Sequence, residues 1–368
     1  MQKAGLTGMT LKTTCPSSKF LLDSPFKITT VIDLRSDTLT RPTPAMLDAM
    51  MSAKVGDDMF EEDPTVTALE NKAAEMFGME AALYCASGTM TNQIGIRLHT
   101  TLQDEVICHK YSHIYLYESG GLMANSGVSV RLLEGDKGRI TAEAVKAAIL
   151  PDDIHSPVSR VVSLENTMNK GGGSCYDFEE ILKIKAVCEA NGLAFHLDGA
   201  RLFNALIAKG ETPQQYGEVF DTISICLSKG MGAPVGSILL GTAGAIKRSK
   251  RIRKVMGGAW RQAGYIAAAG LYALENHVER LKEDHDAAKK IAAVLETQSY
   301  VEEVYPCETN ILIFKLTDAF TNETFLAKLK EHDIHAFGFG PQLIRFVTHY
   351  DFTETQLNQL LEILKKIG

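Results

Sequence analysis

Thr222-Ile-Ser-Ile-Cys-Leu-Ser-Lys-Gly-Met-Gly-Ala-Pro-Val-Gly236 carries an apolar run, then a lysine, then three glycines in seven residues. The run from Ile223 to Leu227 is β-branched and too short for a buried helix, which predicts an interior strand with Ser228-Lys229-Gly230 as its exit loop. An ammonium is a strongly hydrated point charge and is seldom buried alone, so Lys229 at the mouth of such a strand needs a counter-ion or a covalent partner. Gly230, Gly232 and Gly236 let the backbone approach a ligand closely. The plainer reading of the same residues is a surface lysine in a glycine turn.

Upstream, Gly192-Leu-Ala-Phe-His-Leu-Asp-Gly-Ala-Arg201 is a second short apolar strand, and it delivers Asp198 at its carboxyl end. Doubly wound sheets bind ligands at that end of their strands. Asp198 reads either as a structural acid, capping a helix or pairing with Arg201, or as the carboxylate that keeps a pyridine nitrogen protonated. With Lys229 it matches the needs of an aldehyde cofactor, pyridoxal phosphate, whose ring then acts as an electron sink. A phosphate seat is offered by Ala81-Ala-Leu-Tyr-Cys-Ala-Ser-Gly-Thr-Met-Thr-Asn-Gln93, a strand followed by Ser87-Gly88-Thr89 at the start of a helix. Free amides and the helix dipole favour a dianion there, with Gly88 allowing the approach and Thr89 offering a hydroxyl.

Around these three segments the chain alternates strands and helices. Strands are expected near residues 81, 105, 129, 160, 193, 222 and 236, the last two as an antiparallel edge pair. Pro44 opens a helix, Asp63-Pro64 opens another that stops at Gly78, and Asp177-Phe-Glu-Glu180 reads as a capping box for a helix ending at Gly192. The fold class is α/β: a large domain with a mostly parallel seven-stranded sheet covered by helices, plus a small C-terminal α+β domain. One long helical stretch from about Trp260 to Glu296 is expected to join them, followed by strands near 301, 310 and 343 and a last helix capped by Thr353 with Gln356. The expected boundaries are an extension over 1–30, a large domain over 31–275 and a small one over 276–368.

With 368 residues, 45% hydrophobic content and a formal charge of -7, the chain can bury a sizeable core and makes a poor partner for a phosphate backbone. No nucleic acid and no membrane are expected. The run Lys247-Arg-Ser-Lys-Arg-Ile-Arg-Lys254 reads as a solvated helix face. Seven cysteines without a C-x-x-C pair suggest reduced thiols and a cytoplasmic location, and no metal-ligand cluster stands out. Residues 1–30 read as a tail, with a weak organelle leader as the alternative.

Val31-Ile-Asp-Leu-Arg-Ser-Asp-Thr-Leu-Thr-Arg-Pro42, Val55-Gly-Asp-Asp58, Asp63-Pro-Thr65, Ser87-Gly-Thr89, Leu164-Glu-Asn-Thr167, His196-Leu-Asp-Gly-Ala-Arg201, Cys226-Leu-Ser-Lys-Gly230 and Arg345-Phe-Val-Thr-His349 together resemble the low-specificity L-threonine aldolases. These belong to the β-eliminating lyase group of fold-type I pyridoxal phosphate enzymes. The resemblance runs from about residue 31 to the C-terminus.

The resemblance implies an internal aldimine on Lys229, Asp198 against the ring nitrogen, and Gly88 and Thr89 around the phosphate. It implies that Ser36, Arg201 and Arg345 bind the substrate carboxylate. His113, in His109-Lys-Tyr-Ser-His-Ile-Tyr-Leu-Tyr-Glu118, is implied to stack on the ring and to assist proton transfer. Lys254 and Arg261 resemble the family's basic pair near the cofactor phosphate, reaching in from a neighbouring subunit. A homo-oligomer with shared sites, a dimer or a dimer of dimers, follows from the same resemblance.

One position departs from the family. A histidine near the substrate hydroxyl usually follows the Glu-Asn-Thr motif, whereas this chain has Met168. A thioether takes no proton, so Met168 is expected as a substrate-pocket residue, with His113, Lys229 or an ordered water as base. The implied activity is retro-aldol cleavage of L-threonine or L-allo-threonine to glycine and an aldehyde. β-Elimination, transamination, racemisation and a non-catalytic cofactor-binding role are its alternatives.

Overall fold

The computed structural model describes residues 31–367. A short strand, β1 (Ile32–Asp33), precedes the main sheet. That sheet comprises β2 (Ala81–Cys85), β3 (Asp104–His109), β4 (Ser129–Leu133), β5 (Val158–Glu165), β6 (Ala194–Gly199), β7 (Thr222–Cys226) and β8 (Ser237–Gly241). Their order is β2-β8-β7-β6-β5-β3-β4. The pairs β3–β4, β3–β5, β5–β6 and β6–β7 are parallel. Strand β8 runs antiparallel to both β7 and β2. The seven expected strands are therefore present and the sheet is mostly parallel.

The antiparallel pairing of β7 with β8 was expected, but its place at an edge was not realised. Strand β8 lies inside the sheet, because β2 pairs with its other side and supplies the edge. Every residue of β7 and β8 is buried, as an apolar run covered on both faces demands. Since β8 alone is reversed, β2, β3, β5, β6 and β7 all end at the same side of the sheet. The helix Gly88–His99, His113, Glu165, Asp198 and Lys229 follow or close those five ends.

Local chemistry explains where the helices begin. Asp63 accepts from the amides of Thr65 and Val66 with Pro64 in the first turn, and the helix Pro64–Phe77 stops at Gly78. Asp177 caps Phe178–Asn191 through the Glu179 amide, yet the expected capping box does not close. The Glu180 carboxylate instead accepts from the Ala142 amide and pairs with Lys183. At Thr353 the box is complete, with Gln356 bonding back to the cap.

The single long helix expected between Trp260 and Glu296 is two helices, Gly264–Asn276 and Leu281–Leu295. His277 interrupts it: its ring is buried, Nδ1 bonds the Met231 carbonyl at 2.7 Å, and the face stacks on Tyr350. A second sheet, ordered β12-β13-β10-β9, is built from β9 (Val301–Val304), β10 (Ile311–Leu316), β12 (Phe337–Gly340) and β13 (Leu343–Val347). It is antiparallel throughout. Strand β11 (Ile334–His335) pairs with β1, which brings Ile32 and Leu34 into the same apolar cluster as Phe314, Phe346 and Leu360. The segment opening at Val31 is thus fixed on the C-terminal half and crosses to the main sheet only after Ser36, where Asp37 meets Arg201 and Thr40 meets Lys229.

Among the described residues no helix is long and apolar enough to cross a membrane. The six described cysteines are unpaired thiols. The expectations for a leader or tail over 1–30 lie outside the described residues.

Candidate active site

A cleft of about 450 Å³ opens between the carboxyl ends of the main sheet and the small sheet, and Lys229, His113, Arg201, Arg345 and Ser36 all line it. Residues separated by more than three hundred positions in the chain meet here. Lys229 is half-buried. The loop carrying it is anchored by the Thr40 hydroxyl, which donates to the Lys229 carbonyl at 3.0 Å.

Arg201 is held by Asp37. Its Nε and Nη2 donate to the two carboxylate oxygens at 2.8 and 2.6 Å, and both side chains are buried. Burial alone would raise the Asp37 carboxyl, but the Arg201 guanidinium, with Lys229 nearby, outweighs it and holds the acid far below the usual carboxylate range. Arg345 has no such partner among the described residues. Its Nη1 donates to Asn169 Oδ1 and its Nη2 to the Arg35 carbonyl, while Nε is buried without an acceptor. Burial and the neighbouring Arg201 both lower its affinity for a proton. The site therefore presents two guanidinium groups and one carboxylate, an imbalance that an incoming carboxylate corrects.

Behind the cleft a buried polar cluster surrounds Asp198. Its Oδ2 accepts from Asn92 Nδ2 at 2.8 Å and its Oδ1 from the Ala200 amide at 3.1 Å. The same Asn92 nitrogen donates to Glu118 Oε1 at 2.9 Å, and Glu118 also takes Gln93 Nε2 and His113 Nδ1. His113, Glu118 and Asp198 each offer a ligand atom within 4.8 Å of the others. Amide hydrogens of Asn92 already point at two of these three groups, which suits a site completed by a further donor, such as a protonated ring nitrogen, better than one completed by a cation.

His113 opens a short helix with its amide on Glu165 Oε2 at 2.7 Å. Burial would lower its imidazole, but the Glu118 carboxylate, with Asp198 and Glu165, outweighs that and leaves it raised. Glu165 is pushed upward by burial and by Asp198. His196, two residues before Asp198, is fully buried and pushed down to about 3, so it is a neutral link: Nε2 faces Asn92 Oδ1 and Nδ1 faces the Thr222 hydroxyl.

A phosphate would find donors at the helix Gly88–His99. Ser87 caps it by accepting from the Met90 amide, which leaves the Gly88 and Thr89 amides without protein acceptors among the described residues. A Cβ at Gly88 would stand 2.5 Å from Cys226 Sγ, so glycine is what lets this helix start press against β7. The donor set, the buried carboxyl of Asp198 and the lysine in the cleft fit pyridoxal phosphate as a group.

A second cleft of about 400 Å³ lies between the helices Leu281–Leu295 and Glu354–Leu364. Its central cation and acid, Arg280 and Asp284, are paired with each other, and no expected site residue reaches it.

Residues 33–319 match the model of the beta-eliminating lyase family. The low specificity L-threonine aldolase of Escherichia coli is 40% identical over 331 residues, covering 90% of this chain and 97% of that protein. The low-specificity L-threonine aldolase 1 of Arabidopsis thaliana is 37% identical, covering 91% and 96%. The chain belongs to the beta-eliminating lyases, among the low-specificity L-threonine aldolases. Its fold is that of the fold-type I pyridoxal phosphate enzymes. The threonine aldolase of Leishmania major superimposes with a TM-score of 0.81 at 21% identity, covering 92% of this chain and all of that one.

In this lyase not every expected residue converges. Met168 is fully buried and absent from the cleft wall. Its side chain packs on the backbone of Gly138, where an added Cβ would lie 2.2 Å from Met168 Cγ. The neighbours Asn169 and Lys170 face the cleft in its place. Lys254 and Arg261 are exposed and lie outside the cleft of their own chain. Arg261 pairs with Asp57, and Lys254 follows Arg253, which is buried on the Tyr84 carbonyl and Asp58. Asp37, Asn92, Glu118 and Glu165 were not singled out in the sequence. All four sit inside quoted segments, and that adjacency was the available signal.

Proposed function

We propose that this lyase cleaves β-hydroxy-α-amino acids, L-threonine and L-allo-threonine among them, to glycine and an aldehyde, with pyridoxal phosphate attached covalently to Lys229. The observation that carries the reading is the convergence, in one cleft in front of the buried Asp198, of Lys229, His113 and an Arg345 that no carboxylate pairs among the described residues. Bound there, the cofactor supplies a conjugated electron sink for the bond that breaks.

The chain's residues divide the remaining work. Arg345, with Arg201 and Ser36, would hold the substrate carboxylate, and a fixed carboxylate fixes which bond at Cα is presented to the cofactor. Asp198, held in place by Asn92 Nδ2 and the Ala200 amide, would accept a hydrogen bond from the ring nitrogen. Gly88 and Thr89 donate to the phosphate. His113, whose Nδ1 is engaged by Glu118, would take the β-hydroxyl proton through Nε2. Lys229 Nζ returns a proton to Cα and releases glycine. Lys254 and Arg261, exposed on their own chain, reach the phosphate of a neighbouring subunit in a homotetramer, and the protein works in the cytoplasm.

The test is direct. The purified protein should show a visible absorption band that borohydride removes, and should release glycine and acetaldehyde in equal amounts from threonine. Lys229→Ala should lose both properties. A keto acid in place of the aldehyde would replace this reading with transamination.

A further inference from the structure

The wall of the cleft facing Lys229 carries an aromatic ring gripped by two cations. Lys170 Nζ lies 4.4 Å from the centroid of Phe339, and the guanidinium carbon of Arg345 lies 4.8 Å from the same centroid. Neither cation forms an ion pair among the described residues, and Asp37, the carboxylate that bears on Arg345, is engaged by Arg201 and Asn310. Asn169 couples them, since it precedes Lys170 in the chain and accepts from Arg345 Nη1 at 3.1 Å. Two like charges on one half-buried ring repel each other, and an anion that reaches them relieves that repulsion. A threonine-type substrate brings one carboxylate, which Arg345 takes. Lys170 is left with an aromatic face and no anion.

We propose that the site favours β-hydroxy-α-amino acids whose β-substituent carries a carboxylate, and that Lys170 is the residue that selects it. This rests on the retro-aldol reading above. For 3-hydroxyaspartate the Cα–Cβ bond breaks and its electron pair remains with Cα, which takes up a proton. The β-hydroxyl gives up its proton and becomes the carbonyl of glyoxylate. Glycine and glyoxylate account for every atom, and no oxidant or reductant enters. Lys170 donates to the distal carboxylate before and after the bond breaks, so it acts on binding and orientation and not on the proton transfer. Tyr117 and Phe337 line the same mouth.

The experiment compares kcat/KM for 3-hydroxyaspartate and for threonine in the holoenzyme, in Lys170→Gln and in Lys170→Arg. The expected result is a preference for the acidic substrate of about tenfold or more, the worth of one charge-assisted hydrogen bond. That ratio should collapse in K170Q and survive in K170R. A binding readout stands beside it: L-aspartate and L-alanine lack a β-hydroxyl and are not cleaved, and the ratio of their dissociation constants should fall in K170Q. Threonine cleavage without a preference for the acid, or a K170Q variant that lowers both substrates equally, overturns this inference and leaves the retro-aldol reading intact. Glycine release from neither substrate sinks the retro-aldol reading itself.

Discussion

Arg201 turns Nε and Nη2 onto the two oxygens of Asp37 at 2.8 and 2.6 Å, across 164 positions of sequence, in a pair that solvent does not reach. The two arginines of the cleft are consequently unlike. Arg201→Ala would strand a buried carboxylate and should cost about 3–5 kcal/mol of stability. Arg345→Ala strands no charge; it should leave the melting temperature within a few degrees of the parent while KM for threonine rises by one to two orders of magnitude, on the order of a lost charged hydrogen-bond pair. Melting curves and Michaelis parameters for the two variants check this, and equal melting losses would refute it.

Glu118 sets the charge on His113. A protonated imidazole cannot take a proton from the β-hydroxyl, so kcat/KM should fall as pH drops through the raised pKa of His113. Glu118→Gln removes the largest favourable influence and leaves burial, which lowers the imidazole. The acidic limb should then move to lower pH. A pH profile between 5 and 9 decides it, and an unmoved limb would assign the base to another group.

Glu70 offers a test of the fold apart from the site. Its Oε1 accepts the Tyr84 amide at 2.8 Å, at the point where the helix Pro64–Phe77 meets β2, and burial pushes the carboxyl up to about 7. A carboxyl raised above its unfolded value of 4.5 favours the folded state at low pH and loses that contribution as pH rises through about 7. Glutamine keeps the acceptor without the charge. Glu70→Gln should therefore melt a few degrees higher than the parent at pH 8.5, a gain on the order of 1–2 kcal/mol for a half-buried group, and no higher near pH 4. Calorimetric scans at the two pH values give the comparison.

The parts legible in the sequence are those governed by neighbours in the chain. Ile223 to Leu227 reads as a strand because a doubly covered sheet needs an uninterrupted apolar run, and Asp63-Pro64 reads as a helix start because cap and first turn are adjacent. Lys229, Asp198 and the helix start at Gly88 were placed together by one rule, that parallel strands deliver their ligands at one end. What was not legible depends on distant partners. Whether β8 lies inside the sheet is decided by β2, more than a hundred residues earlier. The break at His277 is decided by the Met231 carbonyl, and the isolation of Arg345 by the fact that Asp37 belongs to Arg201. The direction of the Met168 side chain depends on Gly138, thirty positions away, and no spacing within Glu165-Asn-Thr-Met168 encodes it.

That direction makes Met168→His informative. If position 168 reached the substrate, restoring an imidazole would add a base and raise kcat. Here the side chain is fully buried and packed against the Gly138 backbone. An imidazole there would bring two ring nitrogens into a space occupied by a thioether, at a cost of about 1–3 kcal/mol for the buried polar group. Met168→His should thus melt below the parent with kcat for threonine unchanged or reduced. A rise in kcat of about tenfold, or 1.4 kcal/mol of barrier, at unchanged stability would place the 168 side chain in the cleft and return the proton transfer to it.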